Sequence, residues 1–174
     1  MKKFLPVLQA CPLFDGITPA EILSMLHCLD ARLRPIEKKE LLWAEGDNAG
    51  NIGLVLEGAV RIEQTDYFGN RSILGRAGPG ELFGESFACA GLAALPLDVT
   101  AAEDGTVMML DCGRILHTCK NTCAFHQQLI FNLMKGLALK NIQFHQKIGI
   151  TSRFDTPIFR PARMSSWVSV PFSK

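Results

Sequence analysis

Between residues 31 and 111 the sequence consists of short alternating runs, with turn signals at intervals of about ten residues. The run Ala31–Ile36 alternates with period two, and glycine with acidic residues follows later runs at Glu45–Asn48 and Glu57–Gly58. Regular short strands with glycine-rich turns are typical of an antiparallel sandwich or roll. The predicted strands are 31–36, 40–43, 52–56, 60–64, 72–74, 99–102 and 106–110. This pattern treats Gly58 and Glu103–Gly105 as turns between separate strands.

Helical patterns flank this β-rich region on both sides. Upstream, Thr18 is placed as an N-cap, Pro19 as the first helical residue and Glu21 as an acid in the first turn. Downstream, a long helix is predicted over about 122–150, since no proline interrupts it and Gly136 is its only interior helix breaker. The fold class is therefore α+β, an antiparallel β-roll with an N-terminal helical cap and a long C-terminal helix.

The long helix carries apolar residues at a coiled-coil-like spacing. We call this set the seam; it consists of Ile130, Met134, Leu137, Asn141, Phe144 and Ile148. Phe125, Leu129, Leu133 and Leu139 widen the apolar stripe towards a second surface. A helix that is apolar on two faces has to bury both. We therefore expect one face to pack on the β-rich region and the seam to pack against a second copy of the chain in a homodimer. The alternative is a single wide stripe that faces the core of its own chain.

Composition and charge exclude several classes of protein. The formal net charge of +1 gives no whole-chain attraction to nucleic acid, and no apolar run is long enough to span a membrane. Six cysteines without an export signal favour reduced thiols and a cytoplasmic location. The four histidines all lie outside 31–111, which argues against a metalloenzyme with ligands on its strands. Ser86 has no histidine and aspartate partners by motif, so we expect no enzyme.

The stretch Gly78–Ala88 predicts a small-ligand cassette. Gly84 permits a positive φ and a close backbone approach, and the amides of residues 86–88 are expected at the start of a short helix, where anions are favoured. Glu85 is a poor neighbour for a bare phosphate but a good acceptor for a pair of hydroxyl groups. The candidate ligand-binding residues are Gly84, Glu85, Ser86, Phe87, Leu95 and Pro96. The alternative is a tight turn followed by one helical turn, without a ligand.

The order of these parts resembles the cyclic AMP receptor protein and fumarate-nitrate regulator (Crp/Fnr) superfamily. The resemblance covers residues 11–153 and is carried by Leu13-Phe14, Glu45-Gly46-Asp47, Leu56–Ile62, Gly80–Glu85 and Val99-Thr100-Ala101. It implies a cyclic-nucleotide-binding-like jelly roll, over residues 1–150, that dimerises through the long helix and moves a C-terminal helix-turn-helix. The predicted role is the effector-sensing domain of a transcriptional regulator.

Two positions depart from what the resemblance implies. Members that bind cyclic nucleotide carry an arginine ten residues after the cassette glutamate, where this chain has Leu95, followed by Pro96 in place of a small hydroxyl residue. We therefore expect an unidentified small effector other than cyclic AMP. Residues 151–174 contain no recognition helix, so the expectation is an irregular tail, a regulator truncated before its DNA-binding domain, and DNA binding only if a helix-turn-helix is restored.

A second interpretation keeps the same scaffold and changes the ligand. The residues His117, Cys119, Cys123 and His126 follow one another closely around the start of the long helix, and such side chains suit zinc, iron or haem. This set gives the alternative of a haem- or metal-based redox or gas sensor. Core packing of the cysteines explains the same residues without a metal.

Overall fold

The computed structural model describes residues 1–117 and 124–151, with side-chain environments for 1–117 and 125–146. Two short 3-10 turns, Lys2–Phe4 and Pro12–Phe14, accompany the helices. In chain order the helices are α1 (Leu5–Ala10), α2 (Pro19–Cys28), α3 (Glu85–Cys89), α4 (Cys112–Leu116) and α5 (Ala124–Thr151). The strands are β1 (Arg32–Ile36), β2 (Leu41–Trp43), β3 (Asn51–Thr65), β4 (Arg71–Ala77), β5 (Leu82–Phe83) and β6 (Asp98–Asp111).

The N-terminal helical cap forms as the sequence predicts. The Thr18 hydroxyl accepts from the Glu21 amide, and the Glu21 carboxylate accepts from the Thr18 amide at 2.9 Å, which is a complete capping box. Pro19 begins α2. The helix then buries Ile22 and Met25 on its inner face.

The strands form one antiparallel sheet in the order β1-β6-β3-β4, with β2 paired to β6 and β5 paired to β3. The predicted antiparallel roll is confirmed. The boundaries inside it were wrong at two places, because 52–56 and 60–64 are parts of one strand, β3, and 99–102 and 106–110 are parts of another, β6. The glycine signals mark irregularities in the register between β3 and β6, around Glu57 and Ala59, where the two strands bend without ending.

Alternation along β3 and β6 separates two apolar clusters. Ile52, Leu54 and Leu56 belong to a cluster that the helical cap and α5 cover, whereas Val55 and Val60 face a second cluster within the roll. The second cluster also contains buried side chains of β2, β5 and the loop before β6, namely Trp43, Phe83, Leu95 and Leu97. Phe83 belongs to the cassette, so this cluster adjoins it.

The long helix α5 contributes to the first cluster through Leu129 and Leu133, which are almost fully buried. The segment Met1–Leu139 is one compact unit, and residues from Lys140 onwards belong to a second. Within the described residues, no helix is both long and apolar enough to cross a membrane. Of the predicted irregular tail, 151–174, Thr151 is the last residue of α5, and residues 152–174 lie outside the described residues.

Candidate functional site

The cassette begins with a hydrogen-bonded turn. The Glu81 carboxylate accepts from the Gly78 amide at 2.8 Å, and Gly80 has a φ of +83°. The Gly80 amide donates to the Val55 carbonyl, and the Val55 amide donates to the Glu81 carbonyl. These bonds attach the turn to β3, so that the short strand β5 leads directly into α3.

Gly84 occupies a position that requires glycine. Its φ is +77°, and a Cβ placed there would lie 2.5 Å from the indole ring of Trp43. The same indole packs on the Phe83 ring with the ring centres 4.8 Å apart. The predicted close approach at Gly84 is therefore present. Its contact is Trp43, which no short sequence pattern links to Gly84 because the two residues are far apart in the chain.

Glu85 is the first residue of α3 and is only 4% exposed. A buried carboxylate is energetically costly unless polar groups compensate it. Ser86 is exposed, whereas Phe87 is half-buried and packs against the cluster within the roll. The first three predicted ligand-binding residues after Gly84 thus differ in their access to solvent.

The backbone amides at the start of α3 are less available to an anion than the sequence pattern suggests. The amides of Phe87 and Ala88 both donate to the carbonyl of Gly84, at 3.2 and 3.1 Å. Two of the three amides that were expected to face an anion are therefore already paired. This geometry favours a ligand held by the Glu85 carboxylate over one held by a cradle of amides.

Leu95 and Pro96 lie in the loop that returns from α3 to β6. The Leu95 side chain is 3% exposed, and its backbone donates to the Asp47 carbonyl and accepts from the Gly46 amide. Pro96 is exposed. The position that would carry an arginine in cyclic-nucleotide-binding members therefore holds a buried aliphatic side chain in a loop whose backbone is fixed on both sides.

The histidines of the second interpretation line one open cavity of about 380 Å³ together with Cys28 and Asp111. His126 is buried, and its Nε2 lies 2.7 Å from the Ile115 carbonyl oxygen, so this nitrogen donates a proton and cannot bind a metal. The Nδ1 of His117 donates to the Gly113 carbonyl in the same way. Among the residues that the structure describes, no group of three or more metal-ligating side chains is assembled. Cys119 and Cys123 lie outside the described residues.

The seam residues of α5 differ in exposure. Met134 is 62% exposed and Phe144 is 61% exposed, whereas Leu137 is half-buried and packs against the cluster under the helical cap. Ile130 is also half-buried, Asn141 is exposed, and the side chain of Ile148 is outside the described residues. Phe131, which the seam omits, is 61% exposed.

Comparisons with protein families, with curated sequences and with solved structures all indicate the same family. The family described as "Cyclic nucleotide-binding domain" matches residues 33–122, more than half of the 174 residues. The cyclic AMP receptor protein of Thermus thermophilus is 37% identical over 78 residues, which are 45% of this chain and 35% of that protein. This match spans about a third of the length of that curated relative.

Solved structures agree with the fold. The catabolite activator protein of Thermus thermophilus superposes with a TM-score of 0.67 at 26% identity, over 81% of this chain and 63% of that chain. The sensor domain of the transcriptional regulator DNR from Pseudomonas aeruginosa superposes with a TM-score of 0.66 at 18% identity, over 85% of this chain and 93% of that chain. The chain therefore belongs to the cyclic nucleotide-binding domain family, in the form found in regulators of the Crp/Fnr type.

Proposed function

We propose that this chain is the effector-sensing domain of a Crp/Fnr-type transcriptional regulator and has no catalytic activity. The buried Glu85 supports this role because it follows Gly84, which packs against Trp43, and so places a carboxylate beside the apolar cluster within the roll. Such an arrangement, a mostly apolar site with one placed polar group, is what small-molecule sites use to orient a ligand. The named relatives are regulators and binding proteins.

The effector that we propose is a small molecule other than cyclic AMP, with hydroxyl donors for Glu85 and an uncharged body. The observation that carries this proposal is the buried Leu95. A cyclic phosphate beside Leu95 would lose a charge-assisted hydrogen bond of about 1.5–3 kcal/mol that a cation at this position would supply. The paired amides of Phe87 and Ala88 do not replace that cation.

We also propose that two copies associate through α5. Phe131 and Met134 are large apolar side chains that remain more than half exposed on a helix whose other face is already buried. Association of two such helices would remove this surface from water. DNA is then a partner through a helix-turn-helix joined to the domain, because sequence readout requires an element that enters a groove.

Calorimetric titration with cyclic AMP tests the effector proposal. The unmodified protein is expected to show no binding tighter than millimolar, and Leu95→Arg is expected to gain affinity. Leu92→Arg, at an exposed position before Leu95, is the matched control and should gain none. Micromolar binding of cyclic AMP by the unmodified protein would contradict the proposal, even if Leu95→Arg does not fold.

The effector class is tested by thermal unfolding in the presence of nucleosides and polyols. A ligand that binds only the folded state raises the midpoint of unfolding, and the increase grows with the logarithm of the ligand concentration once this exceeds Kd. The increase should be lost in Glu85→Gln and retained in Glu37→Gln, since Glu37 is an exposed carboxylate outside the cassette. An increase that Glu85→Gln leaves intact would place the ligand elsewhere.

A haem- or metal-based sensor is the second candidate. The observation in its favour is that His117 and His126 line one cavity. In each ring one nitrogen donates to a backbone carbonyl, of Gly113 or Ile115, and the other nitrogen takes no part in that bond. An absorption spectrum near the Soret region, with metal analysis of the purified protein, separates the two candidates. A stoichiometric haem or metal would replace the effector proposal with this one.

A further inference from the structure

Two cysteines meet behind the cassette. The sulfur of Cys89, the last residue of α3, lies 3.7 Å from the sulfur of Cys112, the first residue of α4. Both are free thiols. A disulfide bond requires a sulfur–sulfur distance of about 2.05 Å, so the two sulfur atoms need to approach each other by about 1.7 Å. Closing the remaining distance requires the side chains, and the ends of α3 and α4 that carry them, to move.

The two thiols differ in exposure and acidity. Cys112 is 2% exposed, whereas Cys89 is partly exposed to solvent. A hydrogen bond donated by the Cys112 thiol lowers the pKa of Cys89, although burial and the negative charge of Glu85 oppose this effect. The same hydrogen bond, together with burial, raises the pKa of Cys112. Cys89 is therefore the thiol that ionises first and that a reagent reaches first.

We propose that Cys89 and Cys112 form a reversible disulfide, with small disulfides such as oxidised glutathione as the oxidant. The Cys89 thiolate attacks one sulfur of the oxidant, forming a mixed disulfide and releasing one glutathione thiolate. Cys112 then loses its proton to solvent and attacks the Cys89 sulfur, which releases the second glutathione thiolate. The protein loses two electrons and two protons, and oxidised glutathione becomes two thiols. The bond requires only these two cysteines and does not depend on the proposed effector.

The disulfide would join the end of α3 to the start of α4. Glu85 lies four residues before Cys89 on the same short helix, so a shift at Cys89 is transmitted to the buried carboxylate within one turn. Oxidation therefore acts on the residue that we propose to contact the effector. This consequence rests on the proposed function, whereas the bond itself does not.

Peptide mapping of the full chain tests the bond directly. The folded protein is treated with oxidised glutathione, unfolded in denaturant so that iodoacetamide reaches every remaining thiol, and cleaved with trypsin, which releases residues 77–114 as one peptide with both cysteines. The expected peptide is unalkylated and lighter by two hydrogen atoms than the reduced form. A second cut after Glu103 should leave two fragments that separate only after reduction.

Exposed Cys28 is the internal control, since its conversion to a glutathione mixed disulfide shows that the oxidant has acted. If Cys28 is modified while Cys89 and Cys112 are both alkylated, the proposal is wrong. In Cys112→Ala, Cys89 should accumulate as the mixed disulfide, because the second thiol is missing. In Cys89→Ala, buried Cys112 should remain unmodified over the same period, and equal modification of Cys112 would overturn the assigned order of attack. Cys28→Ser should leave the pair unchanged.

Discussion

Gly58 of β3 and Gly105 of β6 lie against each other at the point where the two longest strands bend together. A Cβ at Gly105 would lie 2.0 Å from the Glu57 carbonyl oxygen and 2.9 Å from the Gly58 Cα. A Cβ at Gly58 would lie 2.4 Å from the Asp104 carbonyl oxygen, and Gly58 also has a φ of +79°. The two glycines allow the backbones to approach at the bend, so each strand continues where the local sequence predicts a turn.

Gly105→Ala is expected to destabilise the domain. The added methyl group collides with main-chain atoms that cannot move without breaking the β3–β6 pairing, at a cost of about 1–3 kcal/mol or more. Gly136→Ala is the matched control, because nothing lies within 4 Å of its added Cβ in α5. Alanine there should stabilise the helix by about 0.5–1 kcal/mol. Urea unfolding of the three proteins measures both effects, and equal stability of Gly105→Ala and the parent would contradict the bend geometry.

Asn132 is expected to hold α5 to the N-terminal cap. Its side-chain amide is buried and donates to the carbonyls of Leu13, at 3.0 Å, and Asp15, at 2.7 Å. Asn132→Ala leaves both carbonyls without this donor. The Leu13 bond is buried, and a buried unpaired polar group costs about 1–3 kcal/mol, whereas Asp15 is exposed and water can replace the donor there. Asn141→Ala, at an exposed position of the same helix, should change stability by less than about 0.5 kcal/mol. Similar losses for the two variants would show that the hydrogen bonds of Asn132 contribute nothing specific.

Charged residues on the exposed part of α5 are expected to produce monomers. Met134→Glu and Phe144→Glu place a carboxylate where large apolar side chains are more than half exposed, which would make burial against a second helix costly. Gln143→Glu adds the same charge at an exposed polar position and is the control. Sedimentation at tens of micromolar compares the masses. A parent protein that is already monomeric would rule out the dimer, and Leu137 would then serve the core only.

The capping box of α2 predicts a pH-dependent contribution to stability. Hydrogen bonds from the Thr18 hydroxyl and amide lower the pKa of Glu21 below its ordinary value of 4.5. The folded state therefore prefers the carboxylate, so this contribution is present at neutral pH and is lost as pH falls through the lowered pKa. Glu21→Gln should be less stable than the parent at neutral pH, and the difference should shrink in acid. Glu45→Gln, at an exposed loop position, is the control for loss of charge. A difference that persists unchanged in acid would contradict the pKa shift.

The local signals in the sequence were reliable where neighbouring residues supply the whole interaction. The N-cap at Thr18 and the acid at Glu21 follow from contacts within a few positions, and the structure joins them in a capping box. The prediction of a turn at Gly58 was wrong because the decisive contact there comes from a residue that is distant in the chain. A glycine that ends a strand and a glycine that allows a bend have the same local signature, and the difference lies in Gly105, which is distant in the chain.

In the candidate site, too, the local features were predictable from the sequence and the tertiary contacts were not. The pattern of the cassette predicted its helix and the place of Glu85, but it did not predict that the Phe87 and Ala88 amides are already bonded to Gly84. On α5 the apolar spacing predicted a helix with a wide stripe. In the structure Leu133 is buried in the core and Leu137 packs partly against it, whereas Phe131 and Met134 are exposed.

Residue type and short spacing are enough to predict the β-roll between helical parts, the glycine turn before Glu85 and the aliphatic residue at position 95. The packing of Trp43 on Gly84 and the distance of 3.7 Å between the Cys89 and Cys112 sulfurs depend instead on how distant segments fold together. Those contacts join segments that the paired strands bring together. Their geometry depends on the accumulated register and bending of β3 and β6, which no short stretch of the chain encodes.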